Sequence, residues 1–167
     1  LIGYELDGMA DQLIEYGSDH VIIVRNRHFR VYRTNIYSKT LTLITREKKP
    51  KILLLGATPQ GRDLAPRVAN RLQTGLTADC TALDICEDEG VLLQTRPAFG
   101  GNILATIVCR DHRPQMATVR PGVMKKLDRD PSRTGTTEDL AIGLEEADFN
   151  TQVLGIIDTV AEQTNLE

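Results

Sequence analysis

The residues best suited to chemistry lie in Gln94-Thr95-Arg96-Pro97-Ala98-Phe99-Gly100-Gly101-Asn102. A proline, two adjacent glycines and an asparagine force irregular backbone between two strand-like runs. Arg96 and Phe99 are held close to that backbone. A plain hairpin demands none of this, and an interface or the edge of a cofactor accounts for it. Arg96, Phe99, Gly101 and Asn102 are therefore the candidate binding residues. A second Arg-Pro pair follows in Met116-Ala117-Thr118-Val119-Arg120-Pro121-Gly122.

Other chemistry finds less support. Gly56-Ala57-Thr58-Pro59-Gln60-Gly61 follows the apolar run Ile52–Leu55 and precedes a helical pattern that opens at Arg62. A glycine-bearing loop before a helix presents backbone N–H groups that suit a phosphate. Arg62 and Asp63, however, stand where a P-loop needs Lys and a hydroxyl, which argues against nucleotide hydrolysis. The favoured reading of the loop is a turn for packing and helix capping. The three serines, at 18, 38 and 132, occupy no nucleophile elbow, and His20, His28 and His112 pair with no Ser or Cys by spacing. Asp79 and Asp84 lie five apart in a strand-like run, on opposite faces, and read as structural or capping acids. Cys80 and Cys86 are spaced C-x5-C, and Cys109 and His112 C-x2-H, whereas structural zinc sites use two tight pairs. No catalytic residue and no metal ligand is expected. An odd number of thiols fits a reducing compartment.

The elements that must position the Arg96 segment alternate. Glu5–Tyr16 carries a helical apolar stripe with Gly17 placed to cap it, and His20–Val24 reads as a buried strand. Phe29 to Ile44 continues at mostly helical spacing and stops before Lys48-Lys49-Pro50. Lys51–Leu55 is a second buried strand, and Arg62–Leu72 a helix with Leu64, Val68 and Leu72 on one side. Such alternation implies βαβ units around a parallel sheet. After Gly75 the pattern changes to short strands, Ala78–Ile85, Val91–Arg96, Asn102–Cys109 and Gln115–Arg120, with Glu87-Asp88-Glu89-Gly90 as a hairpin turn. Met124–Thr137 reads as a loop, Asp139–Asp148 as a further strand, and Val153–Gln163 as a short helix or the start of a linker. The expected fold is α/β, mostly parallel, with an antiparallel excursion.

Composition narrows the function classes. The 167 residues are 41% hydrophobic and 26% charged, near the average for one globular domain. A net charge of −3 and an aromatic content of 4% argue against a dedicated nucleic-acid binder. No apolar run approaches the length of a membrane span, so no membrane insertion is expected. The charge is unevenly placed. Residues 1–20 hold five acids and no base, and Arg25, Arg27, Arg30 and Arg33 follow with no acid between them. From Arg96 to Arg133 there are eight basic residues against three acidic, and from Glu138 onward eight acids and no base. Arginine supplies 14 of the 20 basic residues, which directs attention to the basic segment as a place for a partner or an anion.

Three ordered blocks, LLLGATPQGRDLAPRVANRLQTGLTADCTAL, LLQTRPAFGGNILATIVC and RPQMATVRPG, with the weaker YGSDHVIIV before them, resemble the amino-terminal domain of the alpha subunit of electron-transfer flavoproteins. The resemblance covers essentially the whole chain. It implies a Rossmann-like, adenine nucleotide alpha hydrolase-like, three-layer fold, pseudo-symmetric with a beta subunit. Residues 1–150 would form that domain, with its first strand and helix missing, and 151–167 would begin a linker toward an absent FAD-binding second domain. The implied role is an electron carrier rather than a catalyst: the module pairs with the beta subunit and frames the flavin site between acyl-CoA or other flavin dehydrogenases and an acceptor. FAD is the implied cofactor, its principal site in the second domain. Arg96, with Phe99, Gly101 and Asn102, would face a flavin or AMP carried by the beta subunit, or Arg96 would instead pair with Asp84 inside the domain. Residues 80–122 and 139–148 would touch the beta subunit. The implied location is the cytoplasm, or the mitochondrial matrix in a eukaryote. The alternatives are a nucleotide-binding enzyme acting on ATP or AMP through Gly56–Gly61, and a purely structural interface domain.

Overall fold

Apolar runs too short for anything but strands alternate with helices that bury one face. The computed structural model describes residues 1–101 and 103–157. The elements run β1 (Ile2–Gly3), α1 (Met9–Glu15), β2 (His20–Arg25), α2 (Thr34–Lys48), β3 (Ile52–Gly56), α3 (Pro59–Leu72), β4 (Leu76–Cys80), β5 (Ala82–Cys86), β6 (Val91–Ala98), β7 (Ile103–Ile107), β8 (Gln115–Val119) and β9 (Thr136–Asp139). Short 3-10 turns cover Arg27–Phe29, Phe99–Gly101 and Glu146–Asp148.

Among the described residues the strands form three sheets of three. β1, β2 and β9 are parallel in that order, and β3, β8 and β4 are parallel in that order. β5, β6 and β7 make the antiparallel excursion. The α/β, mostly parallel architecture expected from the alternation is present. Ala10 and Ile14 of α1, with Leu6 just before it, pack against Val21 and Ile23 of β2. Val68 and Ala69 of α3 meet Met116 of β8, with Leu53, Leu55 and Leu76 around them. The antiparallel sheet is joined to the parallel one at β6: Leu92 N–H donates to the buried Gln115 Oε1 at 2.8 Å, and Thr81 N–H donates to Thr95 O at 2.8 Å.

Several boundaries differ from the expectation, among them the helical run Phe29–Ile44, which is a 3-10 turn at Arg27–Phe29 followed by α2 at Thr34–Lys48. Ala78–Ile85 is two strands, because β4 ends in a register shift between Thr77 and Cys80 and the chain turns at Thr81 into β5. α3 opens at Pro59 rather than Arg62: Thr58 caps it, its hydroxyl accepting from Gly61 N–H at 3.1 Å, and Pro59 sits where a missing N–H costs nothing. The acidic strand spans Thr136–Asp139, paired from His20 to Ile23, and the chain beyond it to Asp148 forms no strand.

Candidate functional site

β3, β8 and β4 run parallel, so Gly56, Val119 and Cys80 close their carboxyl ends along one edge. Open α/β sheets place ligands outside such an edge. Asp79 sits there in left-handed backbone, φ 61, inside the register shift. A short polar side chain tolerates that conformation because it bonds locally. Asp79 N–H donates to Thr118 Oγ1 at 2.8 Å, and the carboxylate accepts from Arg120 Nε at 3.2 Å and Nη2 at 2.6 Å. Arg62, from the first turn of α3, brings Nη2 to 3.8 Å of the same carboxylate while its Nε donates to Ala57 O at 2.9 Å. The Arg120 hydrogen bond, opposed by burial and aided by the charges of Arg62 and Arg96, holds the Asp79 carboxyl below its ordinary range.

Arg96 lies on β6 opposite Ala105. It follows Leu92 and Gln94 on the inward face of the strand, by the two-residue pleat, and those two are buried. At the end of that face its charge acts on both Asp79 and Cys80. Burial pushes the Cys80 thiol up, and Arg96 opposes the shift. Arg62 and Arg120 pair with this one carboxylate and Arg96 adds a weaker charge from β6, which leaves net positive charge at the sheet edge. Arg96 makes no ion pair with Asp84, whose carboxylate accepts from the neighbouring Ile85 N–H at 2.8 Å.

The other candidates divide. Gly101, φ 89, and Gly100, φ 71, both hold backbone that favours glycine, and neither has a neighbour where a Cβ would point. Phe99 opens the 3-10 turn beside them. Its side chain, and Asn102 altogether, lie outside the described residues. The arginine–aspartate cluster was not legible as a unit, since Arg62, Asp79, Arg96 and Arg120 come from four separate elements. The one available signal was the Arg120-Pro121-Gly122 turn.

The Gly56–Gly61 segment shows tight packing. A Cβ on Gly61 would lie 1.8 Å from Gly56 O, so α3 starts directly against the end of β3. Asp63 accepts from the Thr34 and Tyr32 hydroxyls, the latter at 2.9 Å, and the Thr34 bond is the main cause of its lowered pKa.

Among the described residues no group of three His, Cys, Asp or Glu side chains is placed to hold a metal ion, and the three cysteines are unpaired. No described helix is long and apolar enough to cross a membrane. The antiparallel sheet exposes Ile85, Ile103, Leu104 and Ile107, the third at 66%.

The model of the electron transfer flavoprotein domain matches residues 1–144. The electron transfer flavoprotein subunit alpha of Thermoanaerobacterium thermosaccharolyticum is 50% identical over 167 residues, all of this chain and 50% of that protein. The corresponding subunit of Megasphaera elsdenii is 45% identical over the whole chain and 49% of its own length. A protein of Anaerotignum propionicum named acryloyl-CoA reductase electron transfer subunit beta is 40% identical over 94% of this chain and 49% of its own length. The chain spans about half the length of the curated relatives it matches. With a family model covering most of its residues and its fold in agreement, the chain belongs to the electron transfer flavoprotein domain family.

Proposed function

We propose that this chain is the amino-terminal module of an electron-carrier flavoprotein alpha subunit. It pairs with a beta subunit and frames a flavin site through which electrons pass between an acyl-CoA or other flavin dehydrogenase and an acceptor. The principal FAD belongs to a second domain, and residues 151–167 lead toward it from a domain ending near residue 150. Such a module works in the cytoplasm or the mitochondrial matrix. It needs no nucleophile or general base, because a bound flavin supplies the redox chemistry.

The observation that carries this reading is the unneutralised positive charge around Arg96. Three guanidinium groups against the single carboxylate of Asp79 suit an anionic group, such as the pyrophosphate or the reduced ring edge of a flavin on the beta subunit. Arg96 presents the charge. Pro97 and the left-handed Gly100 and Gly101 fix the backbone beside it, and this reading assigns Phe99 and Asn102 to the same flavin contact. The exposed apolar side chains of β5 and β7 supply the contact with the beta subunit, and stable interfaces of that kind bury upwards of about 1,200 Å². The Gly56–Gly61 turn serves α3 rather than a nucleotide phosphate, since Arg62 is turned back to Ala57 O and Asp63 is acidic.

The test is spectroelectrochemistry on the assembled full-length complex with Arg96→Gln. Loss of a positive charge disfavours the anionic reduced flavin, so the potential of the nearby flavin falls. A drop on the order of 30 mV corresponds to ~1.4 kcal/mol for a two-electron couple. An unchanged potential in an assembled complex removes Arg96 from the flavin site.

A further inference from the structure

Arg27, Arg30 and Arg33 follow the carboxyl end of β2, and no acidic residue occurs from Arg25 through Arg46. Seven other arginines sit within 4.0 Å of a carboxylate. These three make no such pair among the described residues. They converge instead on a cavity of about 170 Å³ shared with His28 and, from the far end of the chain, Gln152 and Val153.

The cavity is held in shape by neutral contacts. Phe29 is 3% exposed and anchors the turn, and Asn26 Oδ1 accepts from His28 N–H at 3.0 Å. Arg33 donates from Nη1 to Thr151 O at 2.9 Å and from Nη2 to His28 O at 3.2 Å. Its guanidinium lies 5.5 Å from the centre of the Phe149 ring, which itself sits tilted against the His28 ring at 4.3 Å between centres. Arg33 is therefore oriented by carbonyls and an aromatic face, and its charge meets no carboxylate among the described residues. Arg27 and Arg30 are exposed and bring two further fork-shaped donors to the same hollow.

We propose that this hollow binds the phosphate group of a small soluble ligand. The two exposed guanidinium forks of Arg27 and Arg30, with the fixed charge of Arg33 and an imidazole beside them, match a tetrahedral dianion, which takes several charge-assisted hydrogen bonds at once. A single carboxylate would leave most of that charge unpaired. The space accommodates one phosphate group rather than a nucleic-acid backbone, which needs an extended basic groove.

Hydrogen exchange with mass spectrometry on the whole protein tests this, using inorganic phosphate in one arm and glycerol 3-phosphate in the other. Saturable protection is expected in Asn26–Arg33 and Thr151–Val153. Arg27→Gln combined with Arg30→Gln should weaken the apparent affinity at least about tenfold, and Arg67→Gln on α3 should leave it unchanged. A tighter ester arm identifies an esterified ligand, and equal arms identify free phosphate; both support the site. The proposal fails if concentrations on the order of 10 mM give no protection, since that places any dissociation constant above the useful range. It fails equally if chloride at matched ionic strength reproduces the effect, or if the double variant binds like the parent.

Discussion

At Asp79 the backbone and the side chain make separate demands. The φ of 61 favours glycine, while the carboxylate is needed by Arg120 and Arg62. Replacing Asp79 by Gly and by Val removes the same ion pairs, so the difference between the two variants isolates the backbone. Asp79→Val should be less stable than Asp79→Gly by about 1–2 kcal/mol in urea unfolding, because a β-branched residue resists left-handed backbone. Equal midpoints would mean that the bulge relaxes. Thr40 makes the opposite case. It is fully buried in α2, and its Oγ1 has no hydrogen-bond partner among the described residues, whereas Thr42 and Thr45 donate back to Ser38 O and Leu41 O. Thr40→Val keeps the shape and removes an unsatisfied hydroxyl, so it should raise stability by about 1 kcal/mol. Thr42→Val, which deletes a made bond, should give no such gain. Neither residue was legible in the sequence, since tertiary register, not local preference, sets the φ of Asp79 and the isolation of Thr40.

The first turn of α3 shows what an element demands of two similar glycines. In Gly56-Ala57-Thr58-Pro59-Gln60-Gly61 both look like loop residues, and the sequence does allow the turn, the cap and the following helix to be read. It does not separate the two roles. Gly61 is already helical and presses on Gly56 O, where a Cβ would sit at 1.8 Å. Gly56 would meet only Thr58 Cγ2, at 3.8 Å. Gly61→Ala should therefore cost at least about 1–3 kcal/mol, because backbone and not a flexible side chain must move. Gly56→Ala should stay within about 0.5 kcal/mol. Circular dichroism melts of the two variants decide it, and comparable losses would show that the turn fails as a unit. The same limit explains the misread strands. Ala78–Ile85 alternates well enough to pass for one strand, and only the partners β8 and β6, both later in the chain, reveal that it serves two sheets. Asp139–Asp148 passes for a strand for the same reason: only Asp139 lies in β9, and contacts rather than spacing position the acids after it.

Across the whole molecule the uneven charge resolves largely into contacts between the two ends of the chain. Arg129 and Arg133 return to Glu15 and Asp19 of the acidic opening segment. Glu138, Asp139 and Asp148 return to Lys48, Arg25 and Lys39 of the basic one. Much of the charge pattern that drew attention to a partner is therefore spent within the fold. Residues 129–151 form a strap across α1, β2 and α2, with the Lys39–Asp148 contact, at 2.7 Å, among its least exposed ion pairs. Acid should release this strap before it disturbs the β3-β8-β4 sheet, whose hold is mainly apolar. The hydrogen bonds from Arg129, Lys48 and Lys39 are the main causes that lower the pKa values of Glu15, Glu138 and Asp148 in the folded chain. A carboxyl whose folded pKa is depressed adds stability at any pH above its unfolded value, here 4.5 for Glu and 3.8 for Asp. That contribution falls away as pH drops from those values through the lower folded ones. Hydrogen exchange followed from pH 6 down to about pH 3 should show residues 129–151 losing protection first. Salt near 1 M, with a screening length of about 3 Å, should produce a weaker version of the same order at neutral pH. If the strap and the β3-β8-β4 sheet lose protection together, the ion pairs hold nothing that the apolar contacts of Leu140, Leu144 and Phe149 do not already hold.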